Sequence, residues 1–195
     1  MNLYIAPYLP KDSVREEELK TAIYTNCNLS FVNNVFLFQE SVPLEINHNK
    51  VININLNKRP TFQDLINYSN SLNCYINIIC NADISLTETF KHITIEDNDF
   101  YCLTRYDNNE LFYMASCSQD TWCWKNKCKI TNANFYFGIL GCDNTFAKLA
   151  QMHEYRVSNP SKKYKTNHHH LSNIREYDES SRLPRENYLV GLRPS

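Results

Sequence analysis

Cys74-Tyr75-Ile76-Asn77-Ile78-Ile79-Cys80 runs straight into Asn81-Ala82-Asp83-Ile84. The first seven residues are an apolar run of strand length, and the acid that follows stands where a buried strand gives way to a loop. Upstream, Thr61 is placed to cap a helix whose apolar face is Phe62, Leu65, Ile66 and Tyr68. Before that helix, Lys50 to Leu56 alternates Val51, Ile52, Ile54 and Leu56 with asparagine, the pattern of a strand. Strand, helix and strand in succession form a β-α-β unit, whose strands lie parallel. In a sheet built that way ligands sit beyond the carboxyl ends of the strands, which is where Asn81 to Ser85 falls.

The same alternation extends in both directions. Leu3 to Tyr8 reads as a short buried strand, Ser13 and Glu16 as a capping box opening a helix to about Thr25, and Val35 to Gln39 as a further strand. Beyond Asp83 the pattern predicts a helical piece from Leu86 to His92 and strands at Phe100 to Arg105 and Leu111 to Ala115. An aromatic stretch with Trp122 and Trp124 and a strand at Phe135 to Phe137 follow. Asp143 is placed to cap a helix from Thr145 to Met152, and Tyr155 to Val157 returns as a strand. The expected architecture is α/β, a mainly parallel sheet flanked by helices. It forms one domain over residues 1–177, with a polar tail over 178–195 on the surface or disordered.

At 195 residues the chain is long enough for one real core, and its 43% hydrophobic and 21% charged content is that of a globular protein. A net charge of -1 gives no overall basic field to draw nucleic acid or anionic lipid. No apolar stretch is long enough to span a bilayer, and the start lacks the pattern of a secretory signal, so a cytoplasmic protein is expected. The eight cysteines are accordingly read as reduced thiols.

Four groups of residues carry possible chemistry. Asp83 offers carboxylate oxygen to a hard divalent cation, or caps a turn. Asp143, at a helix start, is suited to hold a proton-accepting carboxylate, or is an ordinary cap. His168-His169-His170, with Ser172 and Arg175 after it, offers imidazole to a metal and a guanidinium to phosphate, or is a solvated loop. Asp120, beside Trp122, is suited to a sugar ring and is a second candidate for the base, or belongs to a turn. Arg59 and Arg105, each at a strand end, are lesser candidates for phosphate contact.

Taken in order, Arg59-Pro60-Thr61-Phe62, Asn81-Ala82-Asp83-Ile84, Leu103-Thr104-Arg105, Ser118-Gln119-Asp120-Thr121-Trp122, Gly141-Cys142-Asp143-Asn144, Asn159-Pro160 and His168-His169-His170 resemble the signature of compact GT-A glycosyltransferase-like domains, including those encoded by large DNA viruses of algae and protists. The resemblance implies a GT-A-like, Rossmann-like fold and a nucleotide-sugar donor, a UDP-sugar by expectation, with manganese or magnesium. For a viral chain it implies glycan synthesis in the host cytoplasm. It implies that Asn81, Ala82 and Asp83 bind donor and metal, that Asp143 is the base, and that His168 or His170 completes the metal site. Direct displacement with inversion, onto a glycan or other hydroxyl acceptor, follows from a single base. Two features depart from the pattern: Asn81 replaces an acid, and Cys142 replaces the acid before Asp143. The other readings are a sugar-nucleotide-binding domain without catalysis and a zinc-binding interaction module of Cys123, Cys128, Cys142 and the histidines.

Overall fold

The computed structural model describes residues 1–170 and 182–195. Its strands are β1 (Asn2–Ile5), β2 (Asn34–Gln39), β3 (Val51–Asn55), β4 (Ile76–Cys80), β5 (Ile84–Leu86), β6 (Asp99–Leu103), β7 (Tyr106–Asp107), β8 (Glu110–Leu111), β9 (Thr121–Lys125), β10 (Arg156–Ser158) and β11 (Thr166–His168). The α-helices are α1 (Ser13–Asn28), α2 (Phe62–Ser71) and α3 (Cys142–Met152). Seven strands form the central sheet, in the order β10-β6-β9-β4-β1-β2-β3. All its pairings are parallel except those of β9, which runs antiparallel between β4 and β6. A second sheet, β5-β11-β7-β8, stands beside it.

Strand alternation sends side chains to two cores, one on each face. On one face Leu3, Ile5, Leu37, Ile78 and Cys123 meet Leu19 and Ile23 of α1. On the other, Tyr4, Phe36, Ile79, Trp122 and Trp124 meet Phe62, Leu65 and Ile66 of α2 and Phe146, Ala147 and Ala150 of α3. Phe62 and Phe146 both pack against the Trp122 indole, with ring centroids 5.2 and 5.6 Å away. Among the described residues, no helix is long and apolar enough to cross a membrane.

Several sequence expectations shift at their edges. Asp12, not Ser13, caps α1, with its Oδ1 accepting from the Arg15 N–H at 3.0 Å. The Thr61 cap of α2 is a full capping box with Asp64. Trp122 and Trp124 belong to a central strand rather than to a loose aromatic stretch, and β1 stops at Ile5. Leu86 closes a strand, and only Glu88–His92 of the expected helical piece winds, as a 3-10 turn. Of the expected strand from Leu111 to Ala115 only Leu111 lies in a strand, the two-residue β8.

Phe135 to Phe137 forms no strand. The Phe137 ring stacks on Phe62 and the Phe135 ring meets it at a tilt, and the Phe135 carbonyl accepts from the Phe62 N–H, which the first turn of α2 leaves without an intrahelical partner. The helix at 142–152 begins at Cys142, with Gly141 as its N-cap in the left-handed region at φ 86, so Asp143 lies inside the first turn rather than capping it. A Cβ at Gly141 would run into the Tyr188 hydroxyl.

Residues 182–195 return across the molecule. Leu183, Leu189 and Leu192 pack on the α2/α3 core, and Pro194 bridges to Asn159. The expected boundary at residue 177 lies outside the described residues.

The second sheet is tied to α1 through Asn26, which is fully buried. Its Nδ2 donates to the Ile84 carbonyl at 2.8 Å and its Oδ1 accepts from the Leu86 N–H at 2.8 Å. Asn26→Ala leaves the Leu86 N–H buried without its amide partner and the Ile84 carbonyl with the weak contact of the Cys80 thiol at 4.0 Å. The expected cost is about 2 to 4 kcal/mol, read as a lower denaturation midpoint in urea.

Candidate active site

The small sheet assembles the site. β11 pairs antiparallel with β5 so that His168 faces Ile84, one residue past Asp83. Its other edge pairs Asn167 with Tyr106, which brings His168 beside Asp107. Because alternate residues of an extended segment share a side, His168 and His170 both turn toward Asp83 while His169 turns away. The His168 Nε2 lies 3.3 Å, and the His170 Nδ1 4.0 Å, from the Asp83 Oδ2. One donor atom from each of Asp83, His168 and His170 falls within a span of 4.8 Å, the grouping expected of a metal site. His169 instead shares a hydrogen bond with the Ser85 hydroxyl at 2.8 Å, and its N–H donates to the Asp83 carbonyl.

Asp107 orients the first histidine, its Oδ1 accepting from the His168 Nδ1 at 2.7 Å and leaving Nε2 toward Asp83. Burial alone would push the Asp83 carboxyl up, but the hydrogen bond and charge of His168 and the Arg15 guanidinium outweigh it and hold it well below the usual range. Burial lowers His170 and favours neutral imidazole, the metal-binding form. Its Nε2 is buried without a hydrogen-bond partner among the described residues.

A second acid group stands on the same edge. The antiparallel insertion of β9 sets Asp120 between the ends of β4 and β6. The Asp120 carbonyl accepts from the Asn81 N–H at 3.0 Å, and the Asp120 N–H donates to the Leu103 carbonyl at 2.9 Å. Arg105 Nη1 donates to both Asp120 oxygens at 3.2 and 3.1 Å, and Asn81 Nδ2 donates to Oδ1 at 3.1 Å. The Arg105 guanidinium is sandwiched between Asp120, Asp107 at 3.2 Å and the Phe112 ring at 4.0 Å. Burial raises the Asp120 carboxyl against the pull of Arg105.

These groups line a cavity of about 510 Å³ at the carboxyl ends of the parallel strands. Of the residues singled out in the sequence, Arg59, Asn81, Ala82, Asp83, Arg105, Asp120, His168 and His170 stand on its wall. Asp143 does not, although it lies directly behind the Asp120 segment, where its Oδ2 accepts from the Gln119 N–H at 3.2 Å. Its Oδ1 accepts from the Asn144 N–H at 2.9 Å. Burial raises the Asp143 carboxyl to about 6, against the Asn144 N–H and with the charge of Asp120. Ser172 and Arg175 lie outside the described residues.

Among the wall and support residues that the sequence does not single out are Arg15 and Asp107. Arg15 sits in an Arg15-Glu16-Glu17-Glu18 run that resembles a solvated helix face, and Asp107 in an Asn-rich turn. Cys123, Cys128 and Cys142 are buried free thiols, and among the described residues none belongs to the grouping of metal-ligand type. A cavity of similar size, about 520 Å³, opens between α1 and the loop after β2, with Lys20 and Glu45 as its charged residues among those described.

No protein-family model matches the chain, and no curated protein sequence matches it. Solved structures do. A mannosyltransferase from Pyrobaculum calidifontis in complex with GDP-Man and Mn2+ is 13% identical, with a TM-score of 0.51 over 82% of this chain and 54% of its own. TarS residues 1–349 from S. aureus, in complex with UDP-GlcNAc, is 11% identical, with a TM-score of 0.58 over 94% of this chain and 61% of its own. The chain thus spans somewhat over half the length of these neighbours, and at such identities the likeness concerns the fold. That fold is GT-A-like: a mixed, mostly parallel sheet flanked by helices.

Proposed function

We propose that the chain is a glycosyltransferase that moves a sugar from a nucleotide-sugar, a UDP-sugar by expectation, to an acceptor hydroxyl with inversion. The observation that carries this reading is the Asp83–His168–His170 grouping on the wall of the cavity at the carboxyl edge of a GT-A-like sheet. The donor set fits a divalent cation such as Mn2+ or Mg2+: one low-lying carboxylate, one imidazole oriented from behind by Asp107 that would give up to the cation the proton Asp83 favours on it, and one whose Nδ1 lies 4.0 Å from the Asp83 Oδ2. Such a cation supplies positive charge against which a nucleoside diphosphate can depart.

The chain's own residues divide the remaining work. Asp143 is assigned the proton of the acceptor hydroxyl, a role that requires the Gln119–Asp120 segment in front of it to move aside; its carboxyl near 6 is ionised at neutral pH yet basic enough to accept one. Asn81 and Arg105 hold Asp120 in place, and Arg59, whose Nη2 donates to the Phe137 carbonyl at 2.7 Å, is a wall residue assigned to phosphate contact. Asp120's position on the wall favours a second reading, in which it is the base. Its ion pair with the Arg105 guanidinium disfavours taking up a proton, whereas Asp143 is bonded to neutral N–H groups, which is why Asp143 is preferred.

A thermal-shift screen of nucleotide-sugars with and without Mn2+, followed by an assay for released nucleoside diphosphate, tests the reading. A Mn2+-dependent rise in melting temperature with at least one donor, and release of its diphosphate, are expected. Binding without any release points instead to a non-catalytic sugar-nucleotide domain. Asp107→Asn should lower Mn2+ affinity about 10- to 100-fold in a calorimetric titration, with circular dichroism unchanged.

A further inference from the structure

Arg15 has no part in the scheme above, yet it is a buried cation on the cavity wall. Its Nε donates to the Tyr8 hydroxyl at 3.3 Å, and its Nη1 donates to Glu18 Oε2 at 2.9 Å and to the His169 carbonyl at 3.3 Å. Its Nη2 donates to Asp83 Oδ2 at 2.5 Å. That acceptor is the same oxygen that faces the His168 and His170 nitrogens. A guanidinium and a metal cation would draw on one negative charge there, and they repel each other at such range.

The other two arginines of the wall cannot make this exchange. Arg105 is held between Asp107 and Asp120 and stacked on Phe112, and the Arg59 Nη2 is taken up by a backbone carbonyl while its guanidinium lies over Tyr136. In Arg15, Nε and Nη1 fix the plane of the group on partners outside the proposed metal-ligand set, so Nη2 can change acceptor without the side chain moving far.

The geometry points to an exchange of partners at this nitrogen. Arg15 neutralises Asp83 while the donor is absent; with the cation on Asp83, its Nη2 turns to an oxygen of the donor's diphosphate. Arg15 is then a diphosphate-binding residue and a check on metal binding without nucleotide. This inference rests on the proposed metal and donor site.

The test is calorimetric, with Mn2+ alone and then UDP at saturating Mn2+, on the full chain and on Arg15→Gln. The variant removes the guanidinium from Asp83 and leaves its Oδ2 facing the two histidines, so Mn2+ alone should bind at least about tenfold tighter, and UDP should bind at least about tenfold weaker for want of one charge-assisted hydrogen bond. Mn2+ affinity that is unchanged or lower in the variant, where the parent chain does bind Mn2+, overturns the exchange while leaving the metal site standing. Failure of the parent chain to bind Mn2+ with or without UDP overturns both. Should Arg15→Gln not fold, Arg15→Lys carries the test. Its ammonium still pairs with Asp83, so Mn2+ affinity should stay within about threefold of the parent, whereas UDP affinity should fall about tenfold because the fork is lost. Unchanged UDP affinity in Arg15→Lys overturns the proposal.

Discussion

Asp143→Asn should lower turnover by about 10²- to 10⁴-fold, the contribution of a positioned general base, and leave donor and Mn2+ binding within about twofold of the parent. The side chain lies off the cavity wall, behind Gln119, so its loss removes a proton acceptor without touching the donor contacts. In the parent chain the rate under limiting donor should climb tenfold per pH unit below about 6 and level off above it, since only the ionised carboxylate accepts a proton.

Stability moves the other way. The folded carboxyl lies near 6 against an ordinary 3.8, so its contribution is fully present below pH 3.8 and is lost as pH rises through 6. That gap corresponds to about 3 kcal/mol, reduced in the variant by mismatch of the new amide with the Gln119 and Asn144 N–H groups. At pH 8 Asp143→Asn should therefore melt at or above the parent temperature while being nearly inactive; at pH 4 the two should melt together or the parent slightly higher. A variant that turns over normally would pass the role of base to Asp120, and Asp120→Asn is the matching measurement.

Asp83→Ala should abolish Mn2+-dependent donor binding, with no heat of UDP-sugar binding at any attainable Mn2+ concentration. The carboxylate is the only oxygen ligand of the three-atom grouping, and two imidazoles alone hold a hard cation poorly. Removing it also takes a partner from Arg15, a buried ion pair whose loss costs up to about 3 kcal/mol, moderated because Glu18 remains bonded to Nη1. Asp83→Asn separates the two effects: its amide oxygen can still accept from Arg15, so the protein should melt near the parent temperature and still fail to bind the donor.

The chain wrote some of this plainly and some not at all. β1 to β4 and the helices between them are legible because each apolar run is bounded by a capping residue or a turn, and the acid after β4 marks the ligand edge. β9 is not, because Thr121 to Trp124 are buried on both faces and show no alternation; only its pairing with β4 and β6 makes it a strand. The strands of the small sheet are two or three residues long, too short for any pattern, and are defined by their partners.

The site follows the same division. Asp83, His168 and His170 could be named singly from residue type, but their convergence depends on the β5–β11 register. Arg15 was hidden by its three acidic neighbours, and Asp107 by a turn. Asp143 was expected on the cleft and lies behind it, since α3 begins at Cys142 and packs its first turn against the Gln119 backbone rather than opening into the cavity.

The most direct test is a crystal grown with Mn2+ and UDP, with data collected for the anomalous signal of manganese. A single strong peak in contact with Asp83 Oδ2, His168 and His170, and bridged to the diphosphate, is the predicted result. Bound UDP with no peak at those three side chains, or a peak elsewhere in the molecule, would contradict it.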